Sequence, residues 1–374
     1  MHATSHATRA RAEADRIMTV CNSCRYCEGL CAVFPAMEMR RAFPDGDLDY
    51  LANLCHGCGA CYYDCQFSPP HEFNVDVPRT LAEVRAQSYA RYAWPAAFSS
   101  LFARNAHTVS IAAAVGILLF LAGFGLLERD SFLIAHTGAG AFYALMPHAA
   151  MVFVFSLALL YALASLGMGL TKFWRASGGM AQAFMTPRFL LQAARDAGKL
   201  RYLDGGGAGC VNENEYPGDR RALFHHFTFY GFLLCFAATC AATLYHYVLG
   251  REAPYAWYSL PVLLGTVGGM GLLIGPAGLF AAKLHRDPAL REPESRPMDL
   301  AFIAMLFLTG ASGLVLLFFR ATAMMGPLLA IHLGMVLALI LTMPYGKFVH
   351  GIYRFAALVR YAHEKAQSKE AALS

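Results

Sequence analysis

Charge is what this chain of 374 residues has least of: Asp, Glu, Lys and Arg make up 15% of it, against 57% hydrophobic residues. That balance excludes an ordinary soluble protein of this length. Charge is missing altogether from 105–127, 131–171, 222–250, 253–282, 300–319 and 321–346. Each gap can hold the ~20 residues that cross ~30 Å of hydrocarbon, and a core helix of a soluble protein rarely stays uncharged so long. No Gly-x-Gly-x-x-Gly follows a strand pattern, and the GGGAGC run at 205–210 lacks that spacing, so no dinucleotide site is expected. Residues 1–20 hold Ala and Arg but no apolar run, so no cleavable signal peptide is expected. The net charge of +5 is slight, and the distribution described next accounts for it, so it gives no reason to expect a nucleic-acid partner.

The uncharged gaps predict six transmembrane helices, at about 107–127, 147–170, 224–249, 257–282, 300–319 and 327–350. If the amino-terminal segment is cytoplasmic, 27 of the 30 lysines and arginines fall on the inside, and only Arg129, Arg251 and Arg320 fall outside. The positive-inside rule therefore puts both termini in the cytoplasm, as for a multi-pass protein of a bacterial-type inner membrane. The fold class is all-α. We expect a cytoplasmic helical di-cluster domain at 1–100, a membrane domain at 101–355 and a cytoplasmic tail at 356–374.

Eight of the 11 cysteines lie between 21 and 65, in two runs, CNSCRYCEGLCAVFP and CHGCGACYYDCQFSP, with one spacing, Cys-x2-Cys-x2-Cys-x3-Cys-x3-Pro. Thiols in a reducing compartment argue against disulfides, which leaves zinc or iron–sulfur. Structural zinc is usually bound by two separated ligand pairs closing one tetrahedron. Three cysteines at successive steps of three, with a fourth beyond them, instead follow the bacterial ferredoxin run, whose fourth cysteine ligates the other cluster. This assigns Cys21, Cys24, Cys27 and Cys65 to one [4Fe–4S] cluster, and Cys55, Cys58, Cys61 and Cys31 to a second. Gly29, Gly57 and Gly59 suit close backbone approach to sulfur. Ferredoxins of the commonest type place proline directly after the fourth cysteine, whereas here it waits until Pro35 and Pro69. With the helix-compatible stretch Met37 to Phe43 between the runs, a helical arrangement is expected rather than a compact β-containing one. Cys210, Cys235 and Cys240 fall outside the pattern, the last two as small buried hydrophobes.

Ionisable groups within a bilayer default to function. The third span carries His225, His226 and His246; the sixth carries His332 and His350. His332 and His350 are 18 residues apart, about five turns, and share a face of one continuous helix. His225 lies roughly 60° from His246 in projection, whereas His226 points nearly opposite, so His225 is the better partner. Antiparallel spans then place His225 level with His350, and His246 level with His332, two pairs that can each hold a b-type haem between neutral imidazoles. The other use for such histidines is to bond headgroups or carbonyls. His107, His136 and His148 stand in reserve. In the fourth span Gly265-x3-Gly269 and Gly271-x3-Gly275, ahead of Pro276, mark a close-packing helix face.

The doubled cysteine run, FHHFTFYGFLLCFAAT from Phe224, APYAWYSLPVLLGTVGGMGLLIGP from Ala253 and IHLGMVLALILTMPYGKFVHGIYR from Ile331 together resemble the tricarballylate or citrate utilisation protein B family over most of the chain. The His-to-Pro-to-His organisation of the sixth span is more distantly similar to haem b subunits of nitrate-reductase-gamma and heterodisulfide-reductase type. The resemblance implies an electron-transfer partner of an FAD-dependent dehydrogenase that oxidises tricarballylate to cis-aconitate, with electrons passing to the quinone pool. Two other readings stay open: a quinol-oxidising membrane subunit feeding a cytoplasmic reductase, and a non-redox membrane scaffold whose cysteines bind zinc.

Overall fold

The computed structural model describes residues 6–203, 210–211, 217–218, 220–290 and 296–373. Among them the regular structure is helical except for one two-residue ladder, in which β1 (Cys210–Val211) pairs antiparallel with β2 (Pro217–Gly218). The side chain of Cys210 lies outside the described residues.

Five helices precede the first span: α1 (Arg9–Cys24), α2 (Val33–Glu38), α3 (Asp45–Leu54), α4 (Ala60–Tyr63) and α5 (Val77–Tyr92). Local chemistry sets their ends. The Thr8 hydroxyl accepts from the Arg11 amide and the Asp76 carboxylate from the Arg79 amide, satisfying first-turn donors of α1 and α5. Between the cysteine runs the chain is helical in α2 and α3 but bends through residues 39–44, so the Met37–Phe43 stretch is helical only at its start. Ala10, Ala14, Ile17 and Met18, at helical spacing on α1, bury one stripe in a core shared with α2, α3 and α5. At its centre the fully buried Asp49 carboxylate accepts from Arg11 at 2.8 and 3.1 Å and from the Tyr92 hydroxyl at 2.5 Å. Burial alone raises its pKa, and Arg11 and Tyr92 counter that.

Among the described residues six helices are long and apolar enough to cross a membrane: α6 (Asn105–Leu127), α7 (His148–Ala176), α10 (Arg220–Tyr247), α11 (Leu260–Leu284), α12 (Arg296–Phe319) and α13 (Met325–Thr342), the last continued by a 3-10 turn to Tyr345. Two short helices, α8 (Ala181–Met185) and α9 (Pro187–Gly198), join α7 to α10. Glycine sets the closest crossing. A Cβ at Gly271 would meet the Phe227 carbonyl at 2.8 Å and one at Gly275 the Thr228 hydroxyl at 2.4 Å, so α11 lies directly on the backbone of α10. Gly269 faces Leu314 of α12 instead, so the glycine-rich span packs on both sides within the molecule.

The end of the sixth span corrects the expectation of one helix over 327–350. Pro344 has no amide hydrogen and cannot continue the ladder, so α13 stops at Thr342, a 3-10 turn follows, and Gly346 is extended. A new helix, α14 (Val349–Leu373), then starts. His332 and His350 therefore lie on different helices, and the argument from one shared face does not hold. Nor is α14 a tail. Tyr353, Ala356, Ala357, Leu358, Val359 and Tyr361 are buried in the same core as α1, α2, α3 and α5. The Arg40 and Arg360 guanidinium groups cover the Tyr50 ring at 4.7 and 4.2 Å, and both pair with Asp47 and Glu364. The boundary at 355 thus cuts through a helix that packs on the amino-terminal core.

Candidate metal centres

The first cysteine run straddles the end of α1. Cys21 and Cys24, three residues apart, share a face of its last turn; Arg25, in the left-handed region at φ 56°, then turns the chain back toward Cys27. The second run starts at Cys55, which ends α3, and passes through Gly57 and Gly59 at φ 59° and 94° before α4 carries Cys61. Positive φ favours glycine at both positions, and at Gly59 a Cβ would also strike Leu290 at 2.5 Å. The amides of Gly57 and Phe67 donate to the Cys55 and Cys65 sulfurs at 3.3 and 3.4 Å.

One group of thiols crosses between the runs. Cys21, Cys24, Cys27 and Cys65 line one cavity of about 210 Å³, together with Val20, Phe34, Asp64 and Phe67. That is far more than the ~10–15 Å³ that admits one water. Burial pushes the Cys21 thiol up to about 12, helped by Cys65, Cys27 and Cys24, and burial pushes Cys27 up to about 11. Among the remaining thiols burial raises Cys31 and Cys61; Cys55 and Cys58 act on both, and Cys31 and Cys27 also act on Cys61. Crowded buried thiols of this kind stay protonated unless a cation draws off their protons, which is the setting in which metal binding and ligand deprotonation are coupled. Among the described residues no three His, Cys, Asp or Glu side chains close on a point where one metal ion could sit. A four-thiol set around a roomy cavity suits a cubane cluster better than a tetrahedral zinc ion.

His225 of α10 and His350 of α14 come together with ring centroids 6.3 Å apart and planes crossed at 80°. A haem held there would take one imidazole nitrogen from each ring. His350 Nδ1 donates to the Lys347 carbonyl, which leaves the lone pair on Nε2, and His225 Nδ1 is buried without a hydrogen-bond partner. Burial, reinforced by Arg354 and Lys347, holds the His350 pKa well below the ordinary value, so its imidazole is neutral. His226 is tied elsewhere, through Nε2 to the Gly198 carbonyl at 3.2 Å.

The outer histidines do not form the expected pair. His246 stacks on His148 with centroids 3.8 Å apart, and no ring contact joins it to His332 among the described residues. His332 Nδ1 meets the Ser312 hydroxyl at 3.0 Å, and its ring lies 2.9 Å from where a Cβ on Gly313 would stand. The cause is helix placement: α10 lies on the glycine face of α11, while α13 is held against α6 and α12. Of the other reserves, His136 donates through Nε2 to the Ser131 carbonyl within its own loop, 2.8 Å away.

One set of side chains was not anticipated. Arg221 of α10 donates to the His56 and Gly57 carbonyls at 3.1 Å, Arg286 to Gly57 at 3.0 Å, Arg354 of α14 to Asn53 and Cys55 at 3.2 and 2.8 Å, and Arg85 of α5 to Cys55 at 2.6 Å. Arg354, pushed down by burial to about 10, is still a cation at neutral pH. The only sequence signal was spacing: Arg221 precedes His225 by four residues and Arg354 follows His350 by four.

Fold and site together define a class, a helical membrane protein that carries a ferredoxin-type thiol domain on one end. Residues 100–371 match the family described as citrate utilization protein B, and residues 14–91 match the Fer4-like domain of that family. The citrate utilization protein B of Escherichia coli is 48% identical over 369 residues, which cover 98% of this chain and 96% of that protein. This chain belongs to the citrate utilization protein B family. No solved structure matches it.

Proposed function

We propose that this protein is the membrane electron carrier of a citrate- or tricarballylate-related oxidation. In this reading it takes electrons from a cytoplasmic FAD-dependent dehydrogenase and delivers them to the quinone pool across an inner membrane, with both termini cytoplasmic. Cys21, Cys24, Cys27 and Cys65 would hold one [4Fe–4S] cluster, Cys31, Cys55, Cys58 and Cys61 the other, and His225 with His350 a b-type haem. When bound, these groups supply one-electron redox chemistry. The protein's part is to fix their spacing, to exclude water through the buried core, and to hold His350 neutral with Nε2 free.

The observation that supports this reading is the cavity that Cys65 shares with Cys21, Cys24 and Cys27, together with the ring contact of His225 and His350. The dehydrogenase partner is what the family resemblance implies. The reverse flow, from quinol to a cytoplasmic acceptor, uses the same sites. A second haem at His246 and His332 has no contact to support it. The test is iron, sulfide and haem analysis of anaerobically purified protein with an optical spectrum, which should give about eight cluster irons beyond the haem iron. Colourless protein with stoichiometric zinc would sink the proposal.

A further inference from the structure

The two thiol sites differ in exposure and in what surrounds them. At the first, Cys24 is exposed, the neighbouring Tyr26 is 73% exposed, and Asp64 lines the cavity. At the second, Cys55 is 7% exposed and its loop is covered by the ends of membrane helices. Four guanidinium groups, from four separate parts of the chain, converge on the carbonyls of residues 52–57. Two of these, Arg221 and Arg354, stand one helical turn from His225 and His350 on the same helices. Arg221 and Arg354 thus tie the loop of the second site to the helices that carry the imidazole pair, while the first site holds the exposed Cys24.

Resting on the reading above, we propose that the Cys21–Cys24–Cys27–Cys65 site is the port where electrons enter, and that the Cys31–Cys55–Cys58–Cys61 site is a relay of higher potential, set by Arg85, Arg221, Arg286 and Arg354. Reduction adds one negative charge to a thiolate-ligated cluster. Burial by itself disfavours that added charge, but in the same low-dielectric setting four fixed cations favour it more. At the port, solvent screens Arg25 and the Asp64 carboxylate opposes the added electron. The difference makes transfer from port to relay downhill, toward the membrane. The stoichiometry closes: a two-electron-reduced flavin on the partner gives up its electrons singly, with its two protons released there. A quinone takes up two electrons and two protons to become quinol.

The experiment is a redox titration of the full-length protein in detergent or nanodiscs, followed by electron paramagnetic resonance. Cys24→Ser and Cys58→Ser each perturb one cluster's signal and so assign the two couples. In the unaltered protein the couple perturbed by Cys58→Ser should be the higher. Arg286→Gln should shift that couple down and leave the other unmoved, and Arg286→Lys should restore it. If Arg286→Gln does not accumulate, Arg221→Gln reads the same shift. The proposal is overturned if the couple perturbed by Cys24→Ser is the higher, or if removing the arginine charge moves both couples alike or neither. Purified protein lacking two clusters would overturn the underlying function instead, so the two failures are distinguishable.

Discussion

Cys65 follows Cys61 by four residues but lines the cavity of Cys21, Cys24 and Cys27. Cys65→Ser should therefore damage the cluster of the first run and spare the one held by Cys55, Cys58 and Cys61; loss of the latter alone in the resonance spectrum would break the crossed assignment. His350→Ala should abolish a low-spin b-haem spectrum, because one of two axial ligands is lost, while cluster reduction continues. His226→Ala is the control, its ring being held at Gly198. An unchanged b-type spectrum in His350→Ala would remove this haem from the site. Acid–base behaviour offers a further residue-scale test at His6. Burial pulls its pKa down, but hydrogen bonds to Asp45 and Asp15 outweigh that and raise it. A raised histidine contributes stability that is complete below its unfolded value of about 6.5 and is lost as pH rises through the folded value. Thermal midpoints should fall over that window in the parent protein and not in His6→Gln. The thiols were legible in the sequence because ligation in a tight loop dictates local spacing. Arg221, Arg286 and Arg354 were not, because they reach the 52–57 loop from more than 160 positions away.

Five of the six apolar helices were legible to within about six residues at either end, since hydrocarbon thickness fixes their length and charge marks their ends. The break at Pro344 was written there too, but the uncharged stretch ran past it to Gly346 and hid it. Periodicity also could not say which helix neighbours which, so His246 was matched with His332 when packing puts it on His148. Two substitutions test the elements themselves. Gly275→Ala puts a Cβ 2.4 Å from the Thr228 hydroxyl and should cost about 1–3 kcal/mol through overpacking, read as a lower midpoint in detergent melts. Asp49→Ala leaves Arg11, 2% exposed, with only the Asp45 carboxylate at 3.8 Å, and should cost roughly 3 kcal/mol.

At the scale of the whole molecule, the 27-to-3 distribution of basic residues predicts that reporters fused to either end stay cytoplasmic. Activity of a periplasm-dependent reporter at the carboxyl terminus would mean an odd number of crossings. The position of α14 adds a constraint on timing. Its buried face completes the core around the amino-terminal helices, although more than 250 residues separate α5 from α14. During synthesis the first domain to leave the ribosome must wait, unfinished, until the last helix is made. All six spans will by then be threaded into the bilayer. Biogenesis of this protein therefore runs membrane first and cofactor domain last, and fragments ending near residue 100 should emerge as unstable products rather than as a free-standing ferredoxin.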